Sequence, residues 1–371
     1  MVDKAEGGAI RLAAEERHRR ELEALQRADR YPRPPGWLLS PRLVEVFILG
    51  SREDYATADG ARLRISPKYI GDRALVQVAI ATLASDRALL LVGDPGTAKS
   101  WLSEHLAAAI SGTSRYVVQG TAGTTEDQIK YSWNYALLLA EGPSERALVP
   151  SPVYRAMAEG KVVRCEELTR CASEIQDSMI SILSEKELAV PELTRIVSAR
   201  RGFNVIATAN TRDRGINEMS SALRRRFNFV TLPVVGDVET EAAIVRKRVG
   251  DLMADYRVEA EVPDDLVRVL VTLFHELRQG RTLDGQAKVK SPSAPLSTAE
   301  AISVLFNGSI LAAGFGNGRL SAEDLTRSLL GTVVREDGRD AACLLEYLET
   351  VAKSRGGAWA RLYEARRFVA G

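Results

Sequence analysis

The run Leu89-Leu-Leu-Val-Gly93-Asp-Pro-Gly-Thr-Ala-Lys99-Ser100, continued by Trp101-Leu-Ser-Glu-His-Leu106, constrains this chain more than any other. Ala88 to Val92 reads as a buried strand, and the residues after Ser100 read as a helix. Between them stand Gly93, Asp94, Pro95, Gly96, Thr97, Ala98, Lys99 and Ser100. This is the pattern G-x4-G-K-[ST], with Ala98 at the last glycine position. Small residues let successive backbone N–H groups turn inward around phosphate oxygens. The helix that starts near Lys99 aims its positive end at that anion. Lys99 supplies a point charge to the β- and γ-phosphates, and the Ser100 hydroxyl is placed to ligate Mg²⁺.

The surrounding pattern predicts the matching fold class. Short apolar runs at Tyr116–Val118, Val162–Val163, Val205–Ala207 and Phe227–Leu232 alternate with helical stretches. Strands alternating with helices argue for a parallel α/β sheet. After Pro233 the strand signals fade, and residues 239–256, 263–280 and 297–315 read as helices. The expected organisation is a charged extension with a Pro-rich linker (1–36), an α/β nucleotide-binding core (37–235) and a helical domain (236–371). Within the extension, Leu22, Leu25 and Ala14 lie at loose helical spacing, which predicts a solvated or frayed helix or one that docks a partner.

A chain of 371 residues suits two domains and a short extension. Its 50 basic and 49 acidic residues leave a net charge of +1, which argues against coating nucleic acid through bulk charge. Cys165, Cys171 and Cys343 show no paired spacing, so neither a disulfide framework nor a zinc site is expected. The N-terminus lacks a secretory h-region, and no membrane span is expected. A reducing, cytoplasmic setting follows as the expectation.

A phosphate-binding loop needs a carboxylate across the sheet. The candidate is Lys161-Val-Val-Arg-Cys-Glu166-Glu167, an apolar strand ending in two acids. Glu166 is expected in the Mg²⁺ shell, reached directly or through water, and Glu167 is the candidate general base. Arg164 makes this strand less apolar than a buried parallel strand usually is. A further strand, Phe203-Asn-Val-Ile-Ala-Thr-Ala-Asn210, ends in an amide that can orient water or meet the γ-phosphate. Arg224, Arg225 and Arg226 then precede Phe227. They read either as a solvated helix end or as an arginine finger for a neighbouring subunit, with Arg226 the first choice and Arg225 beside it.

Taken together, these residues resemble an AAA+ ATPase of the MoxR-like branch over about Ile70 to Pro233. GDPGTAKS is similar to that branch's loop, which tolerates alanine before the lysine. The stretch from Glu141 to Gly160 resembles the insert in the family's second core helix. Glu166, Glu167 and Arg170 sit where the family carries an Asp-Glu-Ile-Asn-Arg motif. Asn210 falls on sensor 1, Arg226-Phe227 on the Arg-Phe finger motif, and Tyr69-Ile70-Gly71 on the segment lining the adenine pocket. Two positions depart from the pattern: Glu166 replaces Asp, and Ala299 stands where the sensor 2 helix usually carries arginine. Lys288 and Lys290 lie upstream as candidate substitutes.

The resemblance implies an AAA+ P-loop NTPase core with a parallel sheet plus a C-terminal all-helical lid domain. It also implies ATP and Mg²⁺ as cofactors, a homo-oligomeric ring of hexameric type, and chaperone-like remodelling of a protein partner. Von Willebrand A domain proteins are the partner class it suggests. Two other functions stay open: a nucleotide-binding scaffold with weak or partner-dependent hydrolysis, and a nucleic-acid motor, which requires salt-sensitive nucleic-acid binding. Tyr131, Trp133 and Tyr135 read as packing residues or as a polypeptide grip. The tail with Lys353, Arg355, Arg361, Arg366 and Arg367 reads as a solvated basic face or an acidic-partner dock. No metal or nucleophile role is expected for His18, His105 or His275.

Overall fold

The computed structural model describes residues 10–210, 217–292, 296–333 and 338–370. The chain divides into two compact units: Met1–Asp94 with Ala98–Leu232, and Pro95–Thr97 with Pro233–Gly371.

The first unit is built on a five-stranded sheet of β1 (Ala88–Gly93), β2 (Val117–Gln119), β3 (Val162–Glu166), β4 (Asn204–Asn210) and β5 (Phe227–Thr231). The strand order is β5-β1-β4-β3-β2, and every neighbouring pair is parallel. These are the five apolar runs read from the sequence. Asn210 pairs with Gly93, and Ala207 with Cys165, so β1, β4 and β3 end along one edge. Its main helices are α1 (Arg19–Ala28), α2 (Pro41–Leu49), α3 (Arg73–Leu83), α4 (Lys99–Ser111), α5 (Tyr135–Glu141) and α6 (Pro152–Glu159). Local chemistry starts and stops them. The Asp72 carboxylate caps α3 by accepting from Ala74 N at 2.8 Å. Ser151 caps α6 ahead of Pro152, and Gly160 ends it at φ 67°.

The period of two along each strand divides the core. Leu89, Leu91, Val162 and Ile206 pack with Val76 and Ile80 of α3 and Leu102 and Leu106 of α4. Leu90, Val163, Val205 and Ala207 pack on the other face with Val153 and Met157 of α6. The α1 helix is not frayed but docked by one face, while Arg19, Arg20, Glu23, Gln26 and Arg27 stay exposed, which corrects half of the expectation for the extension. Leu22 and Leu25 lie in the same apolar cluster as Phe47, Ile48 and Leu106. Each leucine buried this way contributes about 1.5–3 kcal/mol. Polar contacts add register: Ser114 Oγ donates to Glu15 Oε2 at 2.7 Å, and Lys68 pairs with Glu21. Three apolar residues at loose helical spacing were too faint a signal to separate this helix from a surface one.

Three two-stranded antiparallel sheets, Asp54–Ala56 with Arg62–Arg64, Tyr131–Trp133 with Leu148–Pro150, and Glu187–Val190 with Arg195–Ser198, escaped the sequence reading. Most of these short strands mix polar with apolar residues, so no apolar run marks them. Tyr131 and Trp133 meet edge-on at 5.9 Å and pack against the core, whereas Tyr135 is exposed.

The second unit is helical. Its longer elements are α7 (Val238–Tyr256), α8 (Asp264–Gln279), α9 (Thr298–Phe315), α10 (Ala322–Val333) and α11 (Gly338–Thr350). The first three match the expected helices within a residue. By length and composition alone, α9 would reach across a membrane; its Ala301, Val304, Leu305 and Ala312 instead pack in this unit's own core. Buried carboxylates pin the bundle. Glu241 accepts from Thr298 Oγ1 at 2.6 Å and Arg278 Nη2 at 2.8 Å, and also meets His275. Glu276 accepts from Tyr347 OH at 2.5 Å and Arg355 Nη2 at 2.8 Å.

The basic tail is not simply a solvated face. Arg355 lies on Glu276, Arg361 pairs with Asp265, and Arg366 with Glu349. Ala299 is exposed in the first turn of α9, while Lys290 is tied to Glu346 at 2.6 Å. The part of the sensor 2 stretch at 293–295 lies outside the described residues.

Candidate nucleotide site

The loop leaves β1 at Gly93 and enters α4 at Lys99. Ala98, the cap of α4, has φ 64°, the left-handed region that glycine adopts without strain. This explains the usual glycine at that position, and an alanine holds the same turn here at a local cost. Gly96 also lies at positive φ, 78°. The Lys99 side chain is buried, and its Nζ donates to the carbonyls of Gly93 at 2.9 Å and Asp94 at 2.8 Å. Asp94, Pro95 and Thr97 complete the turn between strand and helix.

Glu166, at the end of β3, is 4% exposed. Ser100 Oγ donates to its Oε2 at 2.6 Å, and Thr208 Oγ1 to the same oxygen at 2.8 Å. Ser103 Oγ donates to Oε1 at 2.6 Å, and Arg164 Nη2 to Oε1 at 2.7 Å. Burial alone raises the carboxyl pKa. The Arg164 charge and the three hydroxyls outweigh it, and the group is held below the ordinary carboxylate range. Glu166 is therefore ionised at neutral pH.

Glu167 follows with φ 56°, a left-handed turn that swings the chain out of the strand. Its backbone N–H donates to Thr208 Oγ1 at 2.9 Å, and Asn210 Nδ2 donates to its Oε2 at 2.8 Å. The side chains of Glu167 and Asn210, on neighbouring strands, thus meet directly. Gly120, just after β2, makes room for this turn: a Cβ there would lie 2.4 Å from the Glu167 carbonyl.

Ile70 and Gly71 follow a segment tied to the loop helix, because Trp101 Nε1 donates to Lys68 O at 2.7 Å. Gly71 lies against the Tyr69 ring, and Ile70 is partly exposed. The arginines stand elsewhere. Phe227 pairs with Ala88, at the start of β1, so Arg225 and Arg226 precede the edge opposite Gly93. A six-residue strand separates the two edges by about 17 Å. Arg226 Nε donates to Ser184 Oγ at 2.8 Å, and Nη1 to Ala222 O at 2.5 Å. Arg225 and Arg170 are exposed.

Lys99, Ser100, Glu166, Glu167 and Asn210 thus converge on one sheet edge, and the arginines do not. Sequence reasoning missed Ser103, Thr208 and the partner of Arg164. A signal existed for each: Ser103 is three residues from Ser100 on one helix face, and Thr208 and Arg164 are two residues from Asn210 and Glu166 on their strands. His18 and His105 are not scattered as their numbers suggest; their rings lie 5.3 Å apart. No group of three or more His, Cys, Asp or Glu residues suited to a metal occurs among the described residues. The cysteines are free and buried, and burial pushes the Cys165 thiol up to about 12.

The chain is similar to known proteins along most of its length. Residues 88–227 match the AAA domain (dynein-related subfamily), and residues 239–370 match the YehL-like AAA+ ATPase C-terminal domain. The Escherichia coli K12 protein YehL is 43% identical over 350 residues, covering 93% of this chain and 94% of that protein. Protein SH1500 of Staphylococcus haemolyticus is 24% identical over 235 residues, covering 62% of this chain and 83% of its own length. Among solved structures, Brucella abortus NtrX in complex with ADP superposes with a TM-score of 0.51 at 12% identity, over 81% of this chain and 66% of that one. That likeness shows a shared fold. The five-stranded parallel sheet, the phosphate-loop architecture, the two domain matches and the full-length relative agree: this chain belongs to the YehL-like AAA+ ATPases.

Proposed function

We propose that the chain hydrolyses Mg-ATP and works as a ring-forming, chaperone-like ATPase of MoxR type that remodels a protein partner. The observation that carries the chemistry is the convergence of Ser100 on Glu166 and of Asn210 on Glu167 at one sheet edge. Lys99 and the N-terminus of α4 are suited to the β- and γ-phosphates. The donor set fits a magnesium ion: the Ser100 hydroxyl gives its proton to Glu166 and keeps oxygen lone pairs for a hard cation. Ser100 would hold that ion directly, and Glu166 through Ser100 or a water. Bound there, magnesium would supply positive charge to offset the negative charge of phosphoryl transfer. Glu167 takes the proton of the attacking water at Oε1 or Oε2, and Asn210 fixes the carboxylate's direction.

Arg226 and Arg225 are about one strand length from their own loop, so as fingers they would serve another copy. This supports a composite site and a ring. A von Willebrand A domain partner rests on the resemblance alone. The second function, a scaffold with slow turnover, is favoured by the ion pair between Arg164 and Glu166.

The test is steady-state Mg-ATP hydrolysis per subunit over a protein concentration series, with Glu167→Gln as control. Turnover that rises with concentration and falls about 10²–10⁴-fold in the variant supports the composite ATPase. Tight ATP binding with turnover no greater than the variant's supports the scaffold. Mixing Arg226→Ala with Glu167→Gln subunits should restore partial activity; mixed rings that stay inactive speak against shared sites.

A further inference from the structure

Arg164 has no part in the chemistry above, yet it is buried inside the sheet, 9% exposed, beside Glu166. Its Nη2 and Nε both donate to Glu166 Oε1, at 2.7 and 3.1 Å. Its other contacts go to Ser103 Oγ at 3.0 Å, Ser114 O at 3.2 Å and Ser100 O at 3.4 Å. The guanidinium is fixed by both the loop helix and the strand.

The count of acceptors decides what Glu166 can still do. An ionised carboxylate offers about four lone-pair sites. Ser103 and the two Arg164 nitrogens occupy Oε1, while Ser100 and Thr208 occupy Oε2. Protein donors already fill the carboxylate, and its charge faces a guanidinium at hydrogen-bond distance. Little is left to draw a cation or to accept from the cation's water shell. Ser100 differs, since it spends only its proton on Glu166.

We propose that Arg164 neutralises Glu166, so that Glu166 serves magnesium only by orienting the Ser100 hydroxyl, and that the Arg164–Glu166 pair sets how tightly the chain holds the ion. This rests on the Mg-ATP reading of the site. The familiar lone acid of such sites is replaced by a neutral pair whose job is positional. The departure from Asp to Glu then has a physical reason: the longer side chain reaches both the loop helix and the guanidinium.

The experiment measures binding, independent of turnover. A fluorescent ATP analogue is bound to the full chain while free Mg²⁺ is set by chelator buffers, and the Mg²⁺ midpoint is read. Arg164→Met frees the Glu166 charge and should tighten the midpoint about tenfold or more. Glu166→Gln leaves the guanidinium unpaired and should weaken it by a similar factor. The double variant is neutral again, and the glutamine carbonyl still accepts from Ser100, so its midpoint should lie within about threefold of wild type. A double variant weakened about tenfold or more overturns the proposal, because Glu166 would then be acting through its own charge. A folded Arg164→Met with an unchanged midpoint overturns it too. Should Arg164→Met alone fail to fold by circular dichroism, the double variant decides. Lys99→Ala separates the two levels: analogue affinity unchanged in that variant removes the phosphate-loop assignment itself, whatever the magnesium series shows.

Discussion

Glu166 in the α/β unit and Glu241 in the helical unit are both buried carboxylates held below their ordinary pKa, but their partners differ in kind. Glu166 meets three hydroxyls and one guanidinium, and one of those hydroxyls belongs to the phosphate loop. Glu241 meets an imidazole, a guanidinium and one hydroxyl, drawn from α8 and the start of α9. The first arrangement leaves an oxygen, that of Ser100, with lone pairs to offer a ligand. In the second, every partner is a structural pin among apolar side chains. A depressed pKa in a buried acid is therefore no mark of a reactive site by itself; the identity of its donors carries the distinction.

The largest effect expected from this contrast is on stability. Glu241→Ala strands Arg278 and His275 in the bundle and should destabilise the helical unit by about 3–5 kcal/mol. Chemical denaturation followed at Trp359, which packs against the helical unit's core, reads it by fluorotryptophan NMR on the full chain. A loss below about 1 kcal/mol would make Glu241 an ordinary surface-like pair and dissolve the contrast. Next is Lys99→Ala, which should weaken ATP about a hundredfold by removing a desolvated charge contact worth ~3 kcal/mol. The Trp359 unfolding transition should stay in place, and a shift in it would show that the loop lysine is also a structural pin.

Acid should separate the units as well. The Glu241 pKa is lowered to about 2: burial raises it, but bonds from His275 and Arg278 outweigh that. A carboxyl depressed on folding stabilises above its unfolded pKa, and that stability is lost as pH falls through the folded one. The helical unit should therefore lose about 3 kcal/mol between pH ~4.5 and ~2. Glu241→Gln should flatten that slope; an unchanged slope would assign acid sensitivity to other groups. The smallest effect is at Ala98. Ala98→Gly relieves the left-handed strain but adds unfolded-chain entropy, for a net gain of about 0.5 kcal/mol. A net loss would mean the alanine methyl makes contacts that outweigh its strain.

Much of the fold was legible because it is periodic. All five strands of the parallel sheet stood out as apolar runs, and α7, α8 and α9 as helical ones. Glu166, Glu167 and Asn210 were legible as types at strand ends, and Lys99 and Ser100 as types at the start of the loop helix. What escaped was of two kinds. The α1 helix buries only Leu22, Ala24 and Leu25, and that sparse stripe resembles a solvated helix until Phe47 and Leu106 are seen against it. Arg164 looked like a flaw in a buried strand, since its partner is visible only when the strand's period of two meets the helix face of Ser100 and Ser103.

The sequence by itself determined the strand–loop–helix around Lys99, the alternation of strands and helices before Pro233 and the helical pattern after it. These follow from spacing along the backbone, where period and turn chemistry are local. Only the tertiary structure decided that Ser100 meets Glu166 across 66 residues, that Thr208 meets it across 42, and that Arg226 stands at the far edge from its own loop. Those meetings depend on the strand order β5-β1-β4-β3-β2. Strand order is set by which faces bury most apolar surface together, a sum over the whole unit that no local stretch contains.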